Sequence, residues 1–288
     1  MFENIVGQDQ AKLAIRDWYL HEQQPLLIYG SSGFGKTMFA ESLGAITVDS
    51  TQLRGDRINT ILKPIKEAED GDILFFDEIH SLQGKVLEGL YKIIDKGTFY
   101  DKELCMDLPL PKVRFIFATN ILSPLPEAFI NRCRFVELQD YSAEELASIV
   151  HLRNPSIPMA TIPAIIKAAK GVPRTALSIA KSVIAGALTD EKEIDQEEVN
   201  SILDTRMGVD PATGLNKKEY KIIQKVIERG HLSTTAVANL LKTTTQDAMR
   251  HYIEPLRASE WLAVSQQGVI PGYKAHENYR VFIKKGEI

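Results

Sequence analysis

The residues best suited to chemistry sit in three short stretches, each with polar groups at the end of an apolar run. Residues 30–37 read Gly-Ser-Ser-Gly-Phe-Gly-Lys-Thr and follow Leu26-Leu27-Ile28-Tyr29. Glycines at that spacing let the backbone N–H groups of Gly30, Ser31, Ser32, Gly33, Phe34 and Gly35 curl around phosphate oxygens. A helix opening at Lys36 adds its dipole. Lys36 is then expected to reach the β- and γ-phosphates, Thr37 to ligate Mg2+ through its hydroxyl, and Met38 to complete the nucleotide-binding segment. The ligands implied are ATP and Mg2+. The second stretch is Ile73-Leu74-Phe75-Phe76-Asp77-Glu78. A buried strand ending in two carboxylates delivers them to the ligand-binding edge of a parallel sheet. Asp77 is expected to hold Mg2+ and Glu78 to activate the attacking water as general base. The third stretch, Arg114-Phe115-Ile116-Phe117-Ala118-Thr119-Asn120, ends in an amide that could position the same water.

These stretches need a scaffold, and the rest of the sequence supplies one. Over 7–22 the helical period puts Ala11, Leu13, Ala14, Ile15, Trp18 and Tyr19 inward, and Pro25 stops it. Strands are expected at 26–29, 46–48, 73–76, 114–118 and 135–138. Helices are expected from Lys36 to Leu43, from Arg57 to Ala68, and from a Ser81 cap to Ile94. Phe99-Tyr100 and Leu104-Cys105-Met106 suggest a small hairpin. Strands alternating with helices predict an α/β fold, a P-loop parallel sheet covered on both faces. After Pro155 the pattern is helical, roughly 161–169, 173–187 and 195–204. Gly208, Pro211 and Gly214 mark a boundary. Helices follow near 216–229, 233–241 and 245–257, then strands around Trp261–Val264 and Val269–Tyr273. The expected domains are 1–153, 154–207 and 208–288.

Composition narrows the setting. The chain has 288 residues and a formal net charge of −4. From Pro211 onward it carries 12 Lys+Arg against 7 Asp+Glu, leaving 22 against 31 of the total 34 and 38 for the rest. A basic tail on an acidic body points to an anionic partner. No stretch approaches the ~18 apolar residues that cross a bilayer, so no membrane association is expected. Cys105 and Cys133 show no metal-ligand spacing, which favours a reducing, cytoplasmic compartment.

The order of phosphate loop, Asp-Glu strand, Thr-Asn strand, Arg-rich turn and helical lid resembles the AAA+ ATPases. Within them the chain is similar to the RuvB family of Holliday-junction branch-migration motors. The matching pieces are Phe2–Gln8, Gly55-Asp56 through Ile61-Leu62, Gly71–Ser81, Asp140–Leu146 and Gly171–Arg174. In the tail they are Gly208-Val209-Asp210, Gly214-Leu215 and Ile253–Leu256. The resemblance covers nearly the whole chain, and only the lid and tail pieces separate RuvB from other AAA+ proteins. It implies that Ile5 and Val6 sandwich the adenine, with Tyr141 and Pro173 closing the pocket. Arg174 would contact the γ-phosphate and report hydrolysis to the lid. Arg132 would be the arginine finger reaching a neighbouring subunit, with Arg134 the competing candidate, which requires a homo-oligomer, in this family a hexameric ring. The tail reads as a winged helix with Lys242, Arg250, His251, Arg257 and Lys274 as contacts to duplex or branched DNA.

Three departures separate the chain from that family. Its Arg-Pro arm has no counterpart before Ile5, so adenine closure is expected to differ. The long hairpin that docks the junction-binding adaptor RuvA is represented only by a short one at 98–106, which puts standard RuvA docking in doubt. The family's arginine-rich wing is replaced by Ser265-Gln266-Gln267-Gly268-Val269, which weakens salt-sensitive grip on DNA. Two other readings stay open. Asn131-Arg132-Cys133 resembles the Ser-Arg-Cys of clamp loaders, which fits a loader or switch. A winged helix can also dock protein, which fits an ATP-dependent scaffold.

Overall fold

The strand that precedes the glycine-rich loop lies inside a sheet because all four of its residues are apolar or aromatic. In the computed structural model, which describes residues 1–48, 59–82, 84–101, 105–189, 193–279 and 282, the chain divides into two units, Met1–Asp140 and Tyr141–Ile288. The first unit contains α1 (Asp9–His21), β1 (Leu26–Tyr29), α2 (Lys36–Ser42), β2 (Ile46–Val48), α3 (Asn59–Glu67), β3 (Ile73–Phe76) and α4 (Gly84–Lys96). It continues through β4 (Thr98–Asp101), β5 (Met106–Pro109), β6 (Arg114–Thr119), α5 (Glu127–Ile130) and β7 (Arg134–Glu137). Five of the strands form one parallel sheet in the order β2-β3-β6-β1-β7. The chain leaves β1 toward β2 at one edge and leaves β6 toward β7 at the other, so a ligand crevice is expected at the switch point between β1 and β6, outside their C-terminal ends. Leu27, Leu74, Phe76, Phe117 and Phe129 are buried in the core on one face, against Ile61, Ile65, Val86 and Leu90 of the helices.

Two local expectations are corrected. Ser81 does not cap α4. It closes a 3-10 turn over Ile79–Ser81, its N–H spent on the Glu78 carbonyl at 2.8 Å, and α4 begins at Gly84. The second arm of the hairpin starts at Met106, with Tyr100 opposite Asp107 and Phe99 opposite Leu108. Cys105 belongs to the turn, with φ at 51°. Leu104 and the Gly55-Asp56 piece lie outside the described residues.

The second unit opens with α6 (Ala143–Arg153), a helix not anticipated although Ser142 and Glu145 form a full capping box. It continues with α7 (Ile162–Ala169), α8 (Pro173–Thr189) and α9 (Gln196–Thr205), which share the core of Val150, Ile165, Ala176, Ile179 and Ile202. Then come α10 (Lys217–Arg229), α11 (Thr234–Leu241), α12 (Thr245–Ala248), α13 (Glu254–Ala258), the antiparallel pair β8 (Leu262–Ser265) and β9 (Gly268–Pro271), and α14 (Tyr273–Glu277). A second core holds Ile222, Val226, Val237, Leu256, Trp261 and Phe282. Leu232 adds a single bridge to Val269, with two backbone hydrogen bonds of 2.8 and 2.9 Å. The expected continuous helix 245–257 is interrupted by a π turn at Met249–Ile253. Pro255 explains it: a proline there cannot donate to the carbonyl one turn back and its ring crowds it, so the turn widens.

Inside the second unit the junction between the two cores is closely fitted. Lys170, at the left-handed C-cap of α7, places Nζ 2.8 Å from Glu219 Oε1, with the two side chains 11% and 4% exposed. The other oxygen of Glu219 accepts the Asn216 N–H at 2.8 Å and completes a capping box on α10. Gly214, at φ 73°, passes so close to Lys167 that a Cβ would stand 2.5 Å from its carbonyl oxygen. Losing one partner of a buried pair strands the other charge, so Glu219→Ala is expected to destabilise this unit by ~3 kcal/mol. Thermal melts check this, and the double change Lys170→Met/Glu219→Met should cost less than Glu219→Ala.

Candidate active site

The phosphate loop folds as its glycines dictate. Gly33 and Gly35 sit at φ 86° and 98°, a region where a side chain would be strained, and Gly35 is the N-cap of α2. Lys36 is 6% exposed and its Nζ donates to the Gly30 and Ser31 carbonyls at 2.7 and 3.1 Å. The ammonium is thus already held across the concavity that a phosphate chain would fill. Phe34 is buried beneath the loop while Ser31 and Ser32 are exposed. Met38 is half-buried in the first turn of α2.

The sheet order decides what meets the loop. Because β6 lies between β1 and β3, the ends of all three candidate stretches reach one edge. Thr37 Oγ1 donates to Asp77 Oδ2 at 3.3 Å. Asp77 Oδ1 accepts the Glu78 N–H at 2.9 Å, and Glu78 itself is left-handed at φ 52°. A bulky residue in that conformation costs on the order of 1 kcal/mol, a strain typical of functional sites. Asn120 Oδ1 and Glu78 Oε2 are buried and make no hydrogen bond among the described residues, the latter having His80 Nδ1 3.2 Å away. Buried acceptors without a hydrogen bond suit an ordered water or ligand. One hydroxyl and one carboxylate side by side are the hard oxygen donors that Mg2+ takes from a protein, leaving its other positions to water and phosphate.

A recess lined by Tyr29, Gly30, Ser31, Phe34, Leu138 and Gln139 opens beside the loop. Ile5 is buried and Val6 half-buried on the strap before α1. The strap is tied down at two points. Phe2 packs edge-on against Phe39 at 5.3 Å. The Gln8 side-chain amide donates to the Gln139 carbonyl at 2.6 Å and accepts the Gln139 N–H at 2.9 Å.

Arg132 leaves the turn after α5. Its Nε lies 3.2 and 3.3 Å from the two Asp95 oxygens, Nη1 donates to the Ala128 carbonyl at 2.7 Å, and the guanidinium lies 5.3 Å from the Tyr91 ring centre. Among the described residues Arg134 makes one longer pair, 3.7 Å to Glu22. Neighbouring Cys133 is buried, which pushes its thiol up to about 12 and leaves it inert. In the second unit Tyr141 precedes α6, Pro173 is the buried first residue of α8, and Arg174 is exposed in its first turn. Lys242 is the exposed left-handed C-cap of α11, Arg250 and His251 are exposed on the π turn, and Arg257 is exposed on α13. Lys274 differs from these, since its Nζ donates to the Ser259 carbonyl at 2.9 Å.

Known proteins resemble this chain. The model of the ATPase family associated with various cellular activities (AAA) matches residues 26–141. The Holliday junction branch migration complex subunit RuvB of Campylobacter fetus is 26% identical over 311 residues, covering 97% of this chain and 88% of the relative. That of Lactobacillus delbrueckii is 30% identical over 222 residues, 70% of this chain and 64% of the relative. The solved structure of the Thermotoga maritima RuvB Holliday junction branch migration motor matches with a TM-score of 0.77 at 26% identity, covering 96% of this chain and 95% of that one. Over nearly its whole length the chain is similar to RuvB proteins, and its residues 26–141 match the AAA ATPase family. Among the described residues of this RuvB-like chain, no helix is long and apolar enough to cross a membrane. Three contributors to the site escaped the sequence reading: Gln8, His80, and the Asp95–Tyr91 seat of Arg132. Gln8 and His80 lie inside quoted motifs, but their partners lie 131 and 39 residues away. No local spacing carries that information.

Proposed function

We propose that this ATPase is a ring-forming motor on duplex or branched DNA, acting in branch migration or a related recombination, repair or replication step. The observation that carries the reading is the 3.3 Å approach of Thr37 to Asp77, with Glu78 next in the chain and Asn120 just past the end of the strand between. In this reading the loop N–H groups bind the ATP phosphates, and Lys36 turns from its own carbonyls to the β- and γ-phosphates. Thr37 and Asp77 would hold Mg2+, which when bound neutralises charge on the phosphate oxygens. Glu78 takes a proton from the attacking water and Asn120 orients it. Ile5 and Val6 bracket the adenine, with Tyr141 and Pro173 closing over it. Arg174 reports hydrolysis to a lid spanning 154–207, and Arg132 completes the site of a neighbouring subunit. Residues 208–288 form a winged helix that meets DNA backbone through Lys242, Arg250, His251 and Arg257, with Lys274 a weaker contributor because its ammonium already serves the Ser259 carbonyl. The short β4–β5 hairpin is a candidate seat for an adaptor other than a standard RuvA.

Negative-stain images of the protein with an ATP analogue and duplex DNA test the whole reading. Closed six-fold rings around DNA are the expected result. Open spirals would replace the motor by a loader, and ATP turnover by a form that DNA neither assembles nor retains would replace it by a protein-binding scaffold.

A further inference from the structure

His80 stands three residues after Asp77 and belongs to neither the phosphate loop nor the strand ends, yet it touches both sides of the hydrolytic edge. Its Nδ1 lies 3.0 Å from Thr119 Oγ1 and 3.2 Å from Glu78 Oε2. The hydroxyl of Thr119 fixes the direction of the first contact. Thr119 is fully buried, donates its one hydrogen to the Ile121 carbonyl at 2.8 Å, and accepts the Ile121 N–H at 3.1 Å. It has only an acceptor left for His80, so Nδ1 carries the hydrogen and donates it. Thr119 is the residue before Asn120. The ring is therefore anchored to the strand end that carries the candidate water-orienting amide. Its other contact is Glu78 Oε2, an oxygen otherwise buried without a partner.

We propose that His80 is a positioning residue that sets where the Glu78 carboxylate rests relative to Asn120, by standing on Thr119. The inference rests on Glu78 being the general base. A carboxylate on a left-handed residue beside a 3-10 turn has little else to define its rotamer. Misplacement of a general base by about 1 Å costs up to a hundredfold in rate while leaving substrate binding alone.

The test is steady-state ATPase and nucleotide binding on the full chain with three His80 variants. Asn places its amide nitrogen where Nδ1 stands, Gln places it where Nε2 stands, and Leu fills the space with no donor. His80→Leu is expected to lower kcat by roughly tenfold or more with ATP affinity within about twofold. His80→Asn should recover most of that loss and His80→Gln should not. Wild-type kcat in His80→Leu, or equal recovery by Asn and Gln, overturns the proposal. If His80→Leu fails to fold, the comparison of Asn with Gln decides alone. Glu78→Gln run in parallel separates the layers. Full turnover in that variant refutes the general-base reading, whereas its inactivity beside an unaffected His80→Leu refutes only the role of His80.

Discussion

Glu78→Gln is expected to bind ATP as tightly as the unmodified chain and to lose turnover by roughly 10²–10⁴-fold. The amide keeps the size and hydrogen-bonding reach of the carboxylate but cannot take a proton from water. In the proposed reading phosphate binding rests on other groups, the loop N–H donors and the Lys36 ammonium, which spans the loop at 2.7 and 3.1 Å from two of its carbonyls. Single-turnover hydrolysis with a fluorescent nucleotide separates the two effects. A loss of affinity as large as the loss of turnover would mean that Glu78 helps to bind phosphate. Asp77→Asn should differ in kind. That side chain meets Thr37 at 3.3 Å, so its loss should raise the Mg2+ requirement.

The second large effect concerns the proposed dependence of the site on a neighbour. Arg132→Ala is expected to abolish most turnover, since an arginine finger contributes about 10³–10⁵ in kcat. A mixture of Arg132→Ala and Lys36→Ala subunits should recover measurable activity. Some interfaces then combine an intact loop from one subunit with an intact arginine from the next. No recovery at any ratio would sink the trans assignment, and Arg134→Ala then becomes the variant to mix. Within its own unit Arg132 is held by two residues of α4. Asp95 grips Nε with both oxygens at 3.2 and 3.3 Å and the Tyr91 ring lies 5.3 Å away. Because both charges are exposed, that pair adds little to stability.

What could be read from the sequence follows from how far each determinant reaches along the chain. β1, β3 and β6 were legible because a strand buried on both faces must be a continuous apolar run. Their polar termini were legible because the loop between β1 and α2 has so few alternatives. Ser81 misled because a hydroxyl before a helix looks like a cap, yet its oxygen makes no hydrogen bond among the described residues. Helix α6 was missed although Ser142 and Glu145 announce it. The π turn was missed because a proline inside helical periodicity fixes a disturbance without fixing its form. Gln8 and His80 act on Gln139 and Thr119 through tertiary contacts alone, so no pattern of neighbours marked them.

The Lys170–Glu219 pair has a bearing on modularity. The glycine- and proline-containing stretch at 206–214 looks like a place where one module could be exchanged for another. In fact the buried ammonium contributed before the stretch is neutralised by a carboxylate contributed after it, and Gly214 leaves no room for a side chain against Lys167. A transplanted tail without an acid at that position would leave a cation in a nearly dry junction. The graft boundary that respects the chemistry is therefore a matched pair of surfaces, and a replacement tail needs an acid where its first helix now carries Glu219.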